Sequence, residues 1–358
     1  MRLMKSNAMP HTANAANAIR TIPTAPWALV TVLFLLYACS GEAQRKKTDY
    51  NNAMSGKMEM SNAHLAGANL SGAKLEETNM TNADLRGANL RNANLMGATL
   101  SAARLERAKL QGARLNGADL TWANLGGANL DGANLSKARL QRAVMSGARL
   151  NNTILKGSFL NSAELSGLTL SGINLNGAEL TGARLTNVDL QNADLGGAEL
   201  SWTIMTKTDA RKANMEGARL CNADLTGSNL SWANLQEADM KDARLRQTRL
   251  EGARLKGANL VSADLRGSIL IQAGLAGAML QGANLVGGIL RKADLSKANL
   301  QGAFLNSADL TGANLEGAML DKADLTDADV GGAKIEKRWK NILAKQRMKN
   351  YDDIAWVE

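Results

Sequence analysis

Residues 83 to 95 read Ala83-Asp-Leu-Arg-Gly-Ala-Asn-Leu-Arg-Asn-Ala-Asn-Leu95: a small residue, Asn or Asp, then Leu, then two variable residues before the pattern restarts. The phase holds in both directions. With the fifth-residue Leu taken as the centre of a pentad, 55 centres run from Met60 to Val330, and all are Leu or Met except Ala210 and Val330. An α-helix cannot use this spacing, because five residues at ~100° each displace successive leucines by about 140° around the axis. A flat strand cannot use it either. With a side-chain period of two, an odd repeat sends alternate leucines to opposite faces.

The spacing works when each pentad is a short extended step followed by a bend, so that the small residue and the centre always point inward. The place two after the centre is rich in glycine (Gly67, Gly72, Gly87, Gly97, Gly112), and it is the expected bend because glycine tolerates the backbone angles needed there. Asn or Asp before the centre (Asn69, Asp84, Asn89, Asn94, Asp119) then faces outward. All three prolines (Pro10, Pro23, Pro26) precede residue 27, which leaves the repeats free of the residue that most disrupts strand ladders.

The motif A-[DN]-L-x-x resembles that of the pentapeptide-repeat family and covers about three quarters of the chain. The resemblance implies an all-β fold: a right-handed, quadrilateral parallel β-helix with four pentads per coil. On that basis 55 pentads make about 14 coils, and at ~4.8 Å between paired strands the rod is roughly 65 Å long. The expected organisation is a repeat body over 58–332 and a C-terminal cap and tail over 333–358. Ile335, Trp339, Ile342 and Leu343 fall on one helical face of residues 334–349, so a short α-helix is expected to cover the open end of the rod. A homodimer contact through that helix is the second reading.

The repeats deviate in places. Bulkier residues replace the small inward one at Leu168, Ile173 and Val188, and Thr203, Thr208 and the centre Ala210 form a second irregular patch. Compensation within the core is the simplest account. Trp122, Trp202 and Trp232 are rare outward aromatics and are candidate surface contacts. At 20 residues per coil, Trp122 and Trp202 share a face four coils apart, and Trp232 lies opposite. The most basic stretch, 241–256, supplies Arg244, Arg246 and Arg249 as further candidate contacts, though a coil distributes them around the perimeter.

The formal charge of +9 suggests a nucleic-acid partner until it is located. Residues 59–329 carry 28 Lys and Arg against 27 Asp and Glu, so the basic charge belongs to the two ends. No nucleic-acid partner is expected. Some family members imitate duplex DNA and occupy DNA gyrase, which requires a strongly acidic rod; a cytoplasmic gyrase inhibitor or protector of that kind is the alternative function, disfavoured by this neutral one.

Catalysis needs titratable groups held in a pocket, and an interior filled with Leu and Ala offers none. His11 and His64 are the only histidines, and no metal-ligand spacing, phosphate loop or nucleophile elbow occurs. No enzyme activity, cofactor or metal site is expected. A flat ladder of one residue type, as ice binding would need, is also missing, since the residues after the centres (Ser71, Glu76, Thr81, Arg86) are mixed.

The N-terminal segment reads as an address. Residues 1–24 are polar with scattered basic residues, and Trp27 to Ala38 is an apolar run of 12, short of the ~20 residues that span a bilayer. The run ends in Leu36-Tyr37-Ala38-Cys39, which resembles the lipobox of bacterial lipoproteins, with Tyr37 standing where a small or β-branched residue is usual. The resemblance implies a signal peptide over 1–38, lipidation at Cys39 and a polar tether over 39–57. Ser40 after the Cys implies the outer membrane in a Gram-negative host. Ordinary cleavage near Gly41-Glu-Ala43 and an uncleaved anchor are the other readings. The expected protein is a non-catalytic binding or structural lipoprotein of the cell envelope, held to the membrane by its lipid and acting on a protein or envelope partner through the outer surface of the rod.

Overall fold

A computed structural model describes residues 59–358. The signal segment, Cys39 and the tether lie outside the described residues. From residue 59 onward the pentads make single parallel bridges to the residue 20 positions later, as in His64 to Asp84, Asn69 to Asn89, Lys74 to Asn94 and Asn79 to Thr99, with a break in the ladder between Arg149 and Thr169. Four pentads therefore close one coil.

The backbone groups account for themselves. Leu85 donates its N–H to the Arg104 carbonyl at 2.8 Å, and Arg104 donates back to Ala83 at 2.9 Å, so each residue row knits two coils. Corners close by a turn in which Ala88 N–H reaches the Leu85 carbonyl at 3.0 Å, with a φ of +62° at Gly87. Such a turn needs a positive φ at its third residue, which explains the glycine there. Asn, which adopts this angle more readily than most side-chain-bearing residues, takes the corner at Asn92 with a φ of +54°, and other types, such as Arg107 and Lys137, are held there too.

The Asn or Asp before each centre does more than face outward. Its side-chain oxygen accepts from the backbone N–H two residues on, as Asp119 does from Thr121 at 2.9 Å and Asn124 from Gly126 at 3.0 Å. This Asx-type cap satisfies a corner donor and accounts for the residue preference. Between coils the same side chains form ladders: Asn214 donates to Asp194 at 3.0 Å and Asn234 to Asn214 at 3.1 Å.

The interior is a continuous stack of centres and small residues, with Met80, Ala83, Leu85, Ala88 and Leu90 all 0% exposed. Fully burying each Leu contributes about 1.5–3 kcal/mol. The bulky exceptions Leu168, Ile173 and Val188 are buried too. Coil length shows that Leu168, Val188 and Thr208 stack on one face, together with the undersized centre Ala210. The hydroxyls of this patch have backbone acceptors: Thr203 bonds the Leu200 carbonyl in its own corner at 2.7 Å and Thr208 the Leu185 carbonyl of the preceding coil at 2.6 Å.

The C-terminal cap departs from expectation. Instead of one helix over 334–349, the chain forms strand β1 (Lys334–Glu336), a 3-10 turn (Lys337–Trp339), a single-turn helix α1 (Lys340–Leu343), a second 3-10 turn (Tyr351–Asp353) and strand β2 (Ala355–Val357). Ile335 sits five residues after Val330, so it continues the inward phase, and Lys334 still bridges Asn314. β2 pairs in parallel with β1, with Ile335 opposite Trp356. Ile335, Trp339 and Leu343 are buried, while Ile342 is 46% exposed.

The reason lies in what an open coil needs. Its unpaired N–H and C=O groups require partners, and a continuous helix consumes its own. Here Gln346 supplies both kinds, accepting from Leu325 N–H at 2.6 Å and donating to the Ala323 carbonyl at 3.0 Å. The Trp339 indole donates to Ala318 at 3.2 Å, and Lys349 pairs with Ala328 and Val330 through its backbone.

Candidate binding surface

Because the interior is filled, everything the rod offers a partner lies on its four faces and four corners. All three outward tryptophans occupy corners at positive φ (+63° at Trp122, +62° at Trp202, +64° at Trp232), where the turn turns the side chain outward. They are 57%, 63% and 59% exposed. Their settings differ. The Arg142 guanidinium, one coil on, stacks 4.5 Å above the Trp122 ring, so one face of that indole is occupied by the protein itself. Trp122 and Trp202 share a corner four coils apart, about 19 Å at ~4.8 Å per coil. Trp232 is on the opposite corner.

Trp232 lies over the next coil. A Cβ added at Gly252 would overlap the six-membered ring of its indole, so glycine at 252 is what lets the ring lie down. Around it runs an open groove of about 390 Å³ lined by Gln191, Asn192, Arg211, Lys212, Asn229, Ser231, Trp232, Arg249 and Glu251. A second open groove, about 660 Å³, lies beside Arg86, Glu106 and Arg107 and has no aromatic lining.

The basic stretch is spread around the perimeter, and its three candidate arginines each face a carboxylate. Arg244 approaches Asp224 at 4.0 Å, Arg246 pairs with Asp264, and Arg249 pairs with Glu251 at 3.0 Å. Of the three, Arg249 alone borders the Trp232 groove. Sequence reasoning missed the groove's other members. The 20-residue coil was the signal that finds them, since it stacks Asn192, Lys212, Trp232 and Gly252 on one corner.

Asp84, Asp209 and Asp327, each hydrogen-bonded by an arginine, titrate below the usual carboxylate range. The hydrogen bond from Arg86 holds Asp84 down to about 2, with partial burial opposing it. Cys221 is half-buried, and its thiol is pushed up to about 11, first by burial and then by its contact with Asp239. Such a thiol is a poor nucleophile.

A family model for pentapeptide repeats matches in overlapping copies from residue 63 to residue 327. The chain belongs to the pentapeptide-repeat family. This pentapeptide-repeat rod is similar to HetL, a pentapeptide repeat protein involved in heterocyst differentiation regulation from the cyanobacterium Nostoc sp. strain PCC 7120, at 33% identity over 63% of this chain and 88% of that one (TM-score 0.34). It is also similar to full-length QnrB1, a plasmid-mediated fluoroquinolone resistance protein, at 16% identity over 55% and 94% (TM-score 0.29). A third likeness is to a pentapeptide repeat protein of the Arabidopsis thaliana thylakoid lumen, at 30% identity over 34% and 74% (TM-score 0.16). Among curated proteins none matches. Family members of this kind are in general structural or protein-binding rather than catalytic.

Proposed function

We propose that the protein is a non-catalytic, lipid-anchored rod of the bacterial cell envelope that binds or spaces other components through its outer surface. The observation that carries the reading is the filled interior: with Leu, Met and Ala at 0% exposure along the stack, the rod has no enclosed cavity in which reacting groups could be isolated from water. What it offers instead is a long, regular surface of mixed charge, near balance over 59–329. Leu36 to Cys39 supports the anchor, as the residue order that lipoprotein processing uses. Two acyl chains at an N-terminal Cys39 would hold it stably, whereas one gives only marginal attachment.

The gyrase alternative needs an acidic, duplex-like surface, and the near balance of 28 bases and 27 acids over 59–329 opposes it. The deciding experiment is mass spectrometry of the N-terminal peptide from protein made in its native host, wild type beside Cys39→Ser, with membrane fractions kept apart. A peptide starting at diacylglyceryl Cys39, lost from the variant, is the expected result. An intact, unmodified N-terminus in the soluble fraction would refute the anchor.

A further inference from the structure

The groove at Trp232 combines three features: an exposed indole lying along the rod, a cation without an ion pair among the described residues, and a rim of uncommitted amides. We propose that it is a binding subsite for an acidic glycan, a polysaccharide carrying carboxylates on its sugars, lying parallel to the rod axis.

The aromatic ring sets the chemistry. One face of the Trp232 indole rests on Gly252 and the other is open, with the side chain 59% exposed. An open π-face carries a negative quadrupole and attracts polarised C–H groups, which one face of a pyranose ring presents. Sugar hydroxyls then need donors and acceptors at the edges of the ring. The side-chain amides of Gln191 and Asn192 make no hydrogen bond among the described residues, nor does the Trp232 Nε1–H, and the Asn229 amide nitrogen is likewise free.

Charge selects among glycans. Arg211 is held by Asp209 at 2.7 Å and Arg249 by Glu251 at 3.0 Å, whereas the Lys212 ammonium makes no ion pair among the described residues. Lys212 stands one coil before Trp232 on the same corner, about 4.8 Å along the axis. One uncommitted cation beside a stacking platform suits a sugar carboxylate.

Two other ligand classes fit worse. A peptide adding as a strand needs free backbone groups, but these coils are closed: Asn229 N–H bonds Thr208, Leu230 N–H bonds Arg249, and Trp232 N–H bonds Glu251. Single-stranded nucleic acid would stack on the indole too, yet its phosphates need a continuous basic track, and here Asp209 and Glu251 cancel two of three cations.

The proposal deepens the binding-rod reading and rests on its non-catalytic part alone, so the fate of Cys39 does not bear on it. The test uses the full chain in a detergent without a sugar headgroup, titrated calorimetrically with polygalacturonate, hyaluronate and polysialate oligomers, with methyl-esterified polygalacturonate and oligothymidylate as comparators. At least one carboxylated oligomer is expected to bind, and Trp232→Ala is expected to weaken it about tenfold or more. Gly252→Asn should do the same by displacing the ring; Asn already takes this corner at Asn92, Asn152 and Asn192, so the fold is retained. Lys212→Gln should weaken the acidic oligomer and leave its methyl ester unchanged, and Trp122→Ala should change neither. No binding by any carboxylated oligomer, tighter binding of oligothymidylate, or binding indifferent to both Trp232→Ala and Gly252→Asn would overturn the proposal. Shortening of an oligomer during the titration would instead count against the non-catalytic reading and leave the site standing.

Discussion

Asp84 and Cys221 show how the outward positions of a pentad take their chemistry from their neighbours. Asp84 sits before a centre and Arg86 after it, so the corner brings carboxylate and guanidinium within 2.5 Å and draws the carboxyl down to about 2. The folded pKa lies below the ordinary aspartate value of 3.8, so any stability the pair contributes is present above about pH 4 and is lost as pH falls toward 2. The arginine is 45% exposed, which keeps that contribution small. A carbon-detected NMR titration should place the Asp84 midpoint near 2, and Arg86→Gln should return it toward 3.8; a wild-type midpoint already near 3.8 would show that the pair does not form in solution. Cys221 follows a centre, as Arg86 does, but burial and then its contact with Asp239 push its thiol up from an ordinary 9.0 to about 11. At pH 8 that leaves about a hundredfold less thiolate than an unperturbed thiol. Iodoacetamide labelling of the folded protein should therefore lag far behind that of the urea-unfolded chain, and equal rates would refute the buried setting.

At the scale of the element, the cap is where the rod's stability is most exposed to single changes. Trp339 is 6% exposed and covers the last coil while bonding Ala318, so Trp339→Ala should cost about 3–5 kcal/mol, read as a lower melting temperature. Gln346→Ala should cost less, about 1–3 kcal/mol, because it removes little packing but strands Leu325 N–H and the Ala323 carbonyl. An unpaired edge should then show as concentration-dependent association in light scattering. If Gln346→Ala neither lowers the melting temperature nor promotes association, the amide is not a surrogate for edge backbone. The cap's existence was legible in the sequence and its path was not. Ile335, Trp339 and Leu343 have helical spacing, and Ile335 also keeps the five-residue phase; the second pattern prevailed because it continues a ladder already formed at Asn314. The coils themselves were legible for a different reason. A period of five admits one set of inward residues, so Leu85 or Ala88 could be placed in the core from their spacing alone. Four pentads per coil could not be read from the spacing, since no side chain in a pentad records how many precede closure, and only the family resemblance supplied it; the Trp232 groove stayed unread because that coil length was applied to the tryptophans and not to Asn192, Lys212 and Gly252 stacked with Trp232.

For the whole molecule, the same locality means that the rod behaves as a stack in which each coil touches only the next. Its energetics should then follow whole coils, and its surface pattern should follow pentads. Deleting residues 151–170 removes one full coil between Trp122 and Trp202. Every later residue keeps its face, so the protein should fold, shorten by about 4.8 Å in small-angle scattering, and leave Trp122 and Trp202 on one corner. Deleting residues 151–160 instead removes half a coil. The centres from Met145 to Leu165 remain in phase and the core should still form, but everything beyond is carried half a turn around the axis, which puts Trp202 opposite Trp122. Because Trp232 and its neighbours Lys212, Asn192 and Gly252 all lie beyond the deletion, they turn together and their groove should survive intact. Distances between spin labels at Asn82 and Asn222, on the corner that bears Trp122 and Trp202, distinguish the two outcomes. If the ten-residue deletion unfolds the protein while the twenty-residue one does not, the inward column is not interchangeable between faces; and because the twenty-residue deletion removes Leu168, a folded product would show that Val188 and Thr208 do not need it beneath them.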